Sequence, residues 1–470
     1  MCLDGVRKHK ISLKNLTNSE KIPHSVLFVN GEIGEKCSRN SLSITLNSEY
    51  RENCPVSQIN SEFKCLLELS VGVNKLTLNY CDIELSIDLN HVVSDNPKTV
   101  TPLYIVAKDH DGTFQARERN SPENACARIT LGIRMIQMIF AEKLRAPDGS
   151  GRKTFNLSGD CQPFHSDLSI EEACGMTESQ LWSFFARELI DRMPDCQNRK
   201  FVAFIGCTRY HGSKDADYSY ESIRAATVAN AALASGGLAL LGSGTLFSWP
   251  ERLCDVRVYL EDETCVPLDE LMDDSGYRRT FGGCFATSLG SLLHEMGHIF
   301  DLAHCDEGIM GSNCDRLDQM FTLKDFHTKY GSLPKRKVPT GREWGAKCTV
   351  VRRPGGNVGA FSKMSHSGGV YFTENFLILL ANHKWFNEST GLQLDAGLVF
   401  NAKTREICGK YPLKLVEMRN VSGLVERYWI ISTSMDTNNV YFTFPPHIQL
   451  IKCTIFCIDV FGNTLNLTFN

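Results

Sequence analysis

Residues 285–304 constrain this chain more than any other stretch. Phe285, Leu289, Leu292, Met296 and Ile299 recur at three- and four-residue intervals, the spacing of one helical face. Within that helix the run His294-Glu295-Met296-Gly297-His298 places two imidazoles four residues apart. Side chains at that spacing project from the same side of a helix. Both can reach a single ion at about 2.0–2.1 Å. The chain must therefore supply a helix here, followed by a turn that returns His304, six residues after the second histidine.

Three histidines suit a catalytic zinc, which takes three protein ligands and keeps a fourth position open for water. His294, His298 and His304 are the expected ligands and Zn2+ the expected cofactor. Glu295 adjoins the first ligand without being one. It is the expected catalytic residue, a general base that takes a proton from zinc-activated water during attack on a carbonyl and later passes a proton to the leaving amine. With 13 histidines in 470 residues, such a pentapeptide arises by chance about 0.02 times per chain, and the third histidine makes coincidence rarer still. A structural zinc is the competing use of the motif. It would recruit a fourth ligand, for which Cys305 is the candidate.

The segment resembles the metzincin signature H-E-x-x-H-x-x-G-x-x-H with its downstream methionine turn. His294, Glu295, His298 and His304 match it, and Met310 in Gly308-Ile309-Met310-Gly311 falls where that turn would pass beneath the zinc. Asp301 stands where metzincins usually have glycine. The turn favours a left-handed backbone, which glycine adopts freely and aspartate tolerates. Met310 and Asp301 are thus expected to support the site. No cysteine-switch segment is visible upstream.

More widely, the chain resembles a eukaryotic family of putative zinc metalloproteinases known from fungi and animals. That resemblance rests on the zincin helix, on Leu377-Ile378-Leu379-Leu380-Ala381-Asn382-His383-Lys384-Trp385-Phe386 and on Pro412-Leu413-Lys414-Leu415-Val416-Glu417. It implies a cytoplasmic, zinc-dependent peptidase, and the metzincin likeness an endopeptidase.

The flanking regions differ in pattern. Short alternating runs between Ser25 and Leu89 predict a β-domain over residues 1–100. Strands and helices alternate over 101–390, the expected zincin-like metallopeptidase domain with a mixed sheet. Ser121-Pro122-Glu123 opens one helix there, Thr177 with Gln180 forms a capping box for a second, and Tyr218 to Ala234 is expected as a third. Strand patterns return over 391–470, a second β-domain. The expected fold class is α+β: a zincin-like catalytic domain flanked by N- and C-terminal β-domains.

Composition narrows the partners. Fifty Lys and Arg against 54 Asp and Glu leave a net charge of −4, which gives no reason to expect nucleic acid. No apolar run is long enough to span a membrane and no secretory signal is visible, so a cytoplasmic location is expected. The 19 cysteines are then expected to be mostly buried, reduced thiols. The expected partner is a peptide or protein substrate. In the alternative reading the chain is a non-catalytic binding or scaffold protein with a structural or vestigial zinc site, and its β-domains recognise a protein, glycan or lipid. His383 and Trp385 are expected to pack at a helix end. Tyr371 is a weak candidate for oxyanion stabilisation. The basic stretch from Pro334 to Pro339 is expected as a solvated loop.

Overall fold

The computed structural model describes residues 9–35, 39–146, 148–149, 151–213, 219–275, 278–311, 313–324, 326, 349–352, 369–387, 397–431 and 440–470. The Pro334–Pro339 stretch lies outside them. The architecture is mixed α+β, with several sheets and few long helices.

The alternating runs near the N-terminus form two sheets. Val26–Gly34 is the centre of one, between Lys10–Leu13 and Glu62–Glu68. The other runs Glu20–Ile22, Ile83–His91, Gly72–Tyr80, Ser41–Leu46 and Tyr50–Pro55 in spatial order. Period-two alternation turns Leu42, Ile44, Leu76 and Leu78 toward Leu27, Val29, Phe63 and Leu67, and these make one core. Val26 and Phe28, on the other face of their strand, join the central core instead.

The central sheet has the order Asn156–Leu157, Thr99–Val106, Arg199–Ile205, Leu238–Gly242, Ala232–Ser235. Its strands are parallel except for the last, which pairs antiparallel with Leu238–Gly242. Helices cover both faces, so its strands read as near-continuous apolar runs. Val100, Tyr104, Val202, Phe204 and Leu241 face the Pro122–Lys143 helix and the histidine-bearing helix. Leu103, Ile105, Phe201, Ala203 and Leu240 face the Glu178–Arg192 helix. Both helix starts have the caps expected from their sequence: Ser121 accepts from the Asn124 amide, and Thr177 and Gln180 form a reciprocal box.

The helix expected from Tyr218 to Ala234 is a correction. Tyr218 lies outside the described residues; among those described only Tyr220–Ala225 is helical, and the strands Thr227–Val228 and Ala232–Ser235 follow. The alanines favour helix by propensity. Gly236, at φ +55°, and Gly237 instead turn the chain back, and Ala232–Ser235 pairs with Leu238–Leu241.

Near the C-terminus, Thr349–Arg352, Val425–Ile430, Leu413–Asn420, Cys453–Asp459 and Thr464–Phe469 form a five-stranded sheet in that order. One face, through Leu415, Val425, Tyr428, Phe456 and Ile458, enters the central core beside the Glu374–Asn382 helix. The other face packs Trp429 against Phe442 and Phe444 in a separate core. Among the described residues no helix is long and apolar enough to cross a membrane. The sixteen described cysteines are free thiols, ten of them buried.

Candidate metal centre

The site is built on the Phe281–Ile299 helix, which Thr280 caps by accepting from the Gly283 amide at 3.1 Å. Sixteen of its nineteen residues are buried, so the helix runs through the core rather than over it. Neighbours approach it closely. A Cβ added at Gly290 would meet the Cys314 backbone, and one added at Gly297 would meet the Met310 side chain.

His294, His298 and His304 come together, with their ligand atoms all within 4.8 Å of one another. Nε2 of His298 lies 3.1 Å from Nε2 of His294 and 3.1 Å from Nε2 of His304. Tetrahedral ligands at 2.0–2.1 Å from one ion stand about 3.3 Å apart, so the spacing fits a shared metal. The outer nitrogens fix the tautomers. Nδ1 of His294 lies 2.9 Å from the Ile309 carbonyl oxygen, and Nδ1 of His298 lies 2.9 Å from that of Leu302. A carbonyl only accepts, so each Nδ1 carries the proton and each Nε2 presents a lone pair. Lone pairs converging at 3.1 Å repel unless a cation lies between them. Burial, then the neighbouring His304, push the His298 imidazole down to about 4. Burial also lowers His304. Neutral imidazole is the form that binds metal.

The remaining expected residues take definite places. Glu295 is buried and lines the same cleft as the three histidines. Asp301 has φ +65°, the left-handed backbone expected at that turn. Met310 is fully buried against Gly297, and its neighbour Ile309 supplies the carbonyl that orients His294. Cys305 donates to the Glu307 carbonyl at 2.8 Å, and among the described residues no cysteine or carboxylate joins the histidine cluster. His383 and Trp385 are buried, as expected of a packed helix end. Tyr371 packs over Gly308 and is not among the residues lining the cleft.

The cleft holds about 480 Å³. Ala232, Leu233 and Ala234 line it from the sheet, Glu178 and Arg224 from neighbouring helices, and Arg419, Ser422 and Gly423 from the C-terminal hairpin. A larger cavity of about 900 Å³, near Arg117, Arg257 and Lys324, contains no histidine or cysteine. Its size therefore does not mark the chemistry, and the smaller cleft does.

A family profile described as "Putative peptidase family" matches residues 10–351, well over half of the chain. The chain belongs to this peptidase family. Among curated relatives, a putative zinc metalloproteinase of Schizosaccharomyces pombe is 24% identical over 350 residues, covering 67% of this chain and 54% of the relative. A putative zinc metalloproteinase of Saccharomyces cerevisiae is 25% identical over 357 residues, covering 68% and 50%. The chain spans about half the length of the curated relatives it matches.

The peptidase-family segment does not contain every group around the histidines. His304 donates its amide to the Gly423 carbonyl at 3.0 Å and accepts from the Val425 amide at 3.0 Å. Arg419 reaches the Asp301 carbonyl at 2.8 Å, and His383 lies 3.3 Å from the Asp301 carboxylate. The motif gives no local sign of these partners, which lie about eighty to one hundred and twenty residues downstream.

Proposed function

We propose that this chain is a zinc-dependent peptidase with a metzincin-like catalytic unit, in which His294, His298 and His304 hold the metal and Glu295 is the general base. The observation that carries the reading is the convergence of three imidazoles with their ligand atoms within 4.8 Å of one another, beside a carboxylate in the same cleft. The relatives named as zinc metalloproteinases support the choice of metal. Zinc, when bound, polarises a carbonyl and acidifies water.

The chain's own groups do the rest. The Ile309 and Leu302 carbonyls hold His294 and His298 in the ligating tautomer. The Ala232–Ser235 strand pairs on one side with Leu238–Gly242 and also flanks the cleft. An extended peptide lying along that flank would place a backbone carbonyl near the three histidines. The Glu295 carboxylate then takes the proton of the attacking water and delivers it to the departing nitrogen. Three protein ligands leave room for substrate, which favours catalysis over a closed structural site.

The test is cleavage of a diverse peptide library by zinc-loaded wild type and by Glu295→Ala, with metal content measured in both. The expected result is equal zinc, with turnover in the wild type only. Full turnover by Glu295→Ala overturns the role of that residue. No cleavage by wild type with zinc tightly held returns the chain to the scaffold reading.

A further inference from the structure

The turn from His298 to His304 is held from outside as well as from within. Its own backbone contributes bonds from the Asp301 amide to His298 and from the Leu302 amide to Gly297. The Phe300 amide also bonds to Gly297, and the His298 imidazole to the Leu302 carbonyl. Further polar contacts come from beyond residue 351, where the family match ends. His304 pairs with the hairpin residues Gly423 and Val425 as a short parallel bridge. That hairpin is stiffened by Asn420, whose side-chain oxygen accepts from the Ser422 and Leu424 amides at 3.0 Å each. Asp301, in its left-handed conformation, has its carbonyl bound by Arg419.

Arg419 is itself held in place. Its Nε and Nη2 donate to Glu417 at 2.9 and 2.6 Å, and its guanidinium lies 4.2 Å from the Phe456 ring centre. Glu417 is fully buried and also accepts from Asn375 at 2.7 Å. The electrostatics explain the pairing. A guanidinium suits the negative end of the site helix and gives Asp301 a strong donor. Alone it would repel a dication bound a few residues away, and the buried Glu417 neutralises it. A non-glycine residue at positive φ persists only where its surroundings over-determine it.

We propose that Arg419 is a positioning residue for the third metal ligand, and that the Leu413–Ile430 hairpin is a working part of the metal centre. The inference rests on the zinc reading above. Arg419 sets where His304 stands by fixing the Asp301 carbonyl, three residues before the ligand. It acts through the Asp301 carbonyl and is not one of the metal ligands.

The experiment measures zinc dissociation constants by chelator competition, together with thermal melting of the metal-free proteins, using the full chain. The variants are Arg419→Lys, which keeps the charge but replaces the fork by a single ammonium, and Arg419→Met with Glu417→Gln, which leaves no buried charge unpaired. Arg427→Lys on the neighbouring strand is the control. We expect zinc binding to weaken on the order of 10–100-fold in the double variant and about tenfold in Arg419→Lys, as when other groups that orient metal ligands are lost. Metal-free melting of Arg419→Lys should stay at the wild-type value. Wild-type affinity in the double variant overturns the proposal, as does wild-type affinity in Arg419→Lys should the double variant fail to fold. A wild-type protein that binds no zinc overturns instead the reading on which it rests.

Discussion

Replacing Gly290 by alanine should cost this protein its metal before it costs the fold. Gly290 faces the backbone of Cys314, and an added Cβ would overlap the Cys314 carbonyl oxygen and stand 2.7 Å from its carbon. Carbon atoms rest at about 3.5–4.0 Å, so helix and turn must separate by about 1 Å. Backbone cannot rotate away as a flexible side chain would. His294 lies four residues on, about 6 Å along the same helix, and moves with it. Metal sites accept distance errors of about 0.2 Å, so a 1 Å displacement is several times the tolerance. Overpacking of this kind costs about 1–3 kcal/mol. The assay is zinc competition alongside thermal melting, with Gly175→Ala as control, since a Cβ there meets nothing within 4 Å. Gly290→Ala should melt a few degrees lower and bind zinc at least tenfold more weakly, while Gly175→Ala matches wild type. If Gly290→Ala binds zinc as wild type does, the rigid link from Cys314 through the helix to His294 is refuted.

Three further outcomes are expected. His24 is buried, and desolvation, then the charge of Arg152, hold its imidazole down to about 3. The unfolded chain takes up that proton near pH 6.5 and the folded one does not. Stability should therefore be intact above pH 6.5 and fall by about 1.4 kcal/mol per pH unit below it. Urea melts at pH 6.5 and 5 should show His24→Asn losing about 2 kcal/mol less than wild type over that interval. Glu20 accepts from Arg145 at 3.0 Å and from Arg152 at 2.8 Å, all three buried. Glu20→Gln removes the carboxylate that both guanidinium groups share, leaving Arg152 with Glu142 alone, and should destabilise by about 3–5 kcal/mol in urea unfolding; a loss below 1 kcal/mol would show the cluster to be dispensable. Chelation should abolish hydrolysis while circular dichroism stays unchanged, because apolar packing rather than metal holds the site helix. Unfolding on chelation would instead mark the metal as structural.

Much of the candidate metal centre's geometry was legible because its rules are local. Four-residue spacing predicts that His294 and His298 share a face, and the preference of aspartate for turns predicts the φ of +65° at Asp301. The same local reading misjudged 218–234. There the alanines argued for helix, although Gly236-Gly237 between two short apolar runs is a hairpin signal. Other features had no local signal. Arg419 meets Asp301 across 118 residues of chain, and Gly423 meets His304 through backbone alone. Neither contact follows from spacing or composition. The strand patterns after residue 391 were visible, but not that one sheet face would enter the central core through Leu415, Val425 and Phe456.

The burial of the site helix bears on how such a protein can diversify. With sixteen of nineteen positions enclosed and backbone or side chains tight against Gly290 and Gly297, almost every substitution there disturbs packing. Selection has little room to work on that helix. The Ala232–Ser235 strand and the turn at Ser422 and Gly423 border the same cleft while retaining solvent contact. The Gly423 carbonyl is tied to His304, so divergence among relatives in what they accept should accumulate along the Ala232–Ser235 border, leaving the histidine scaffold and its hairpin as the slowly changing part of the molecule.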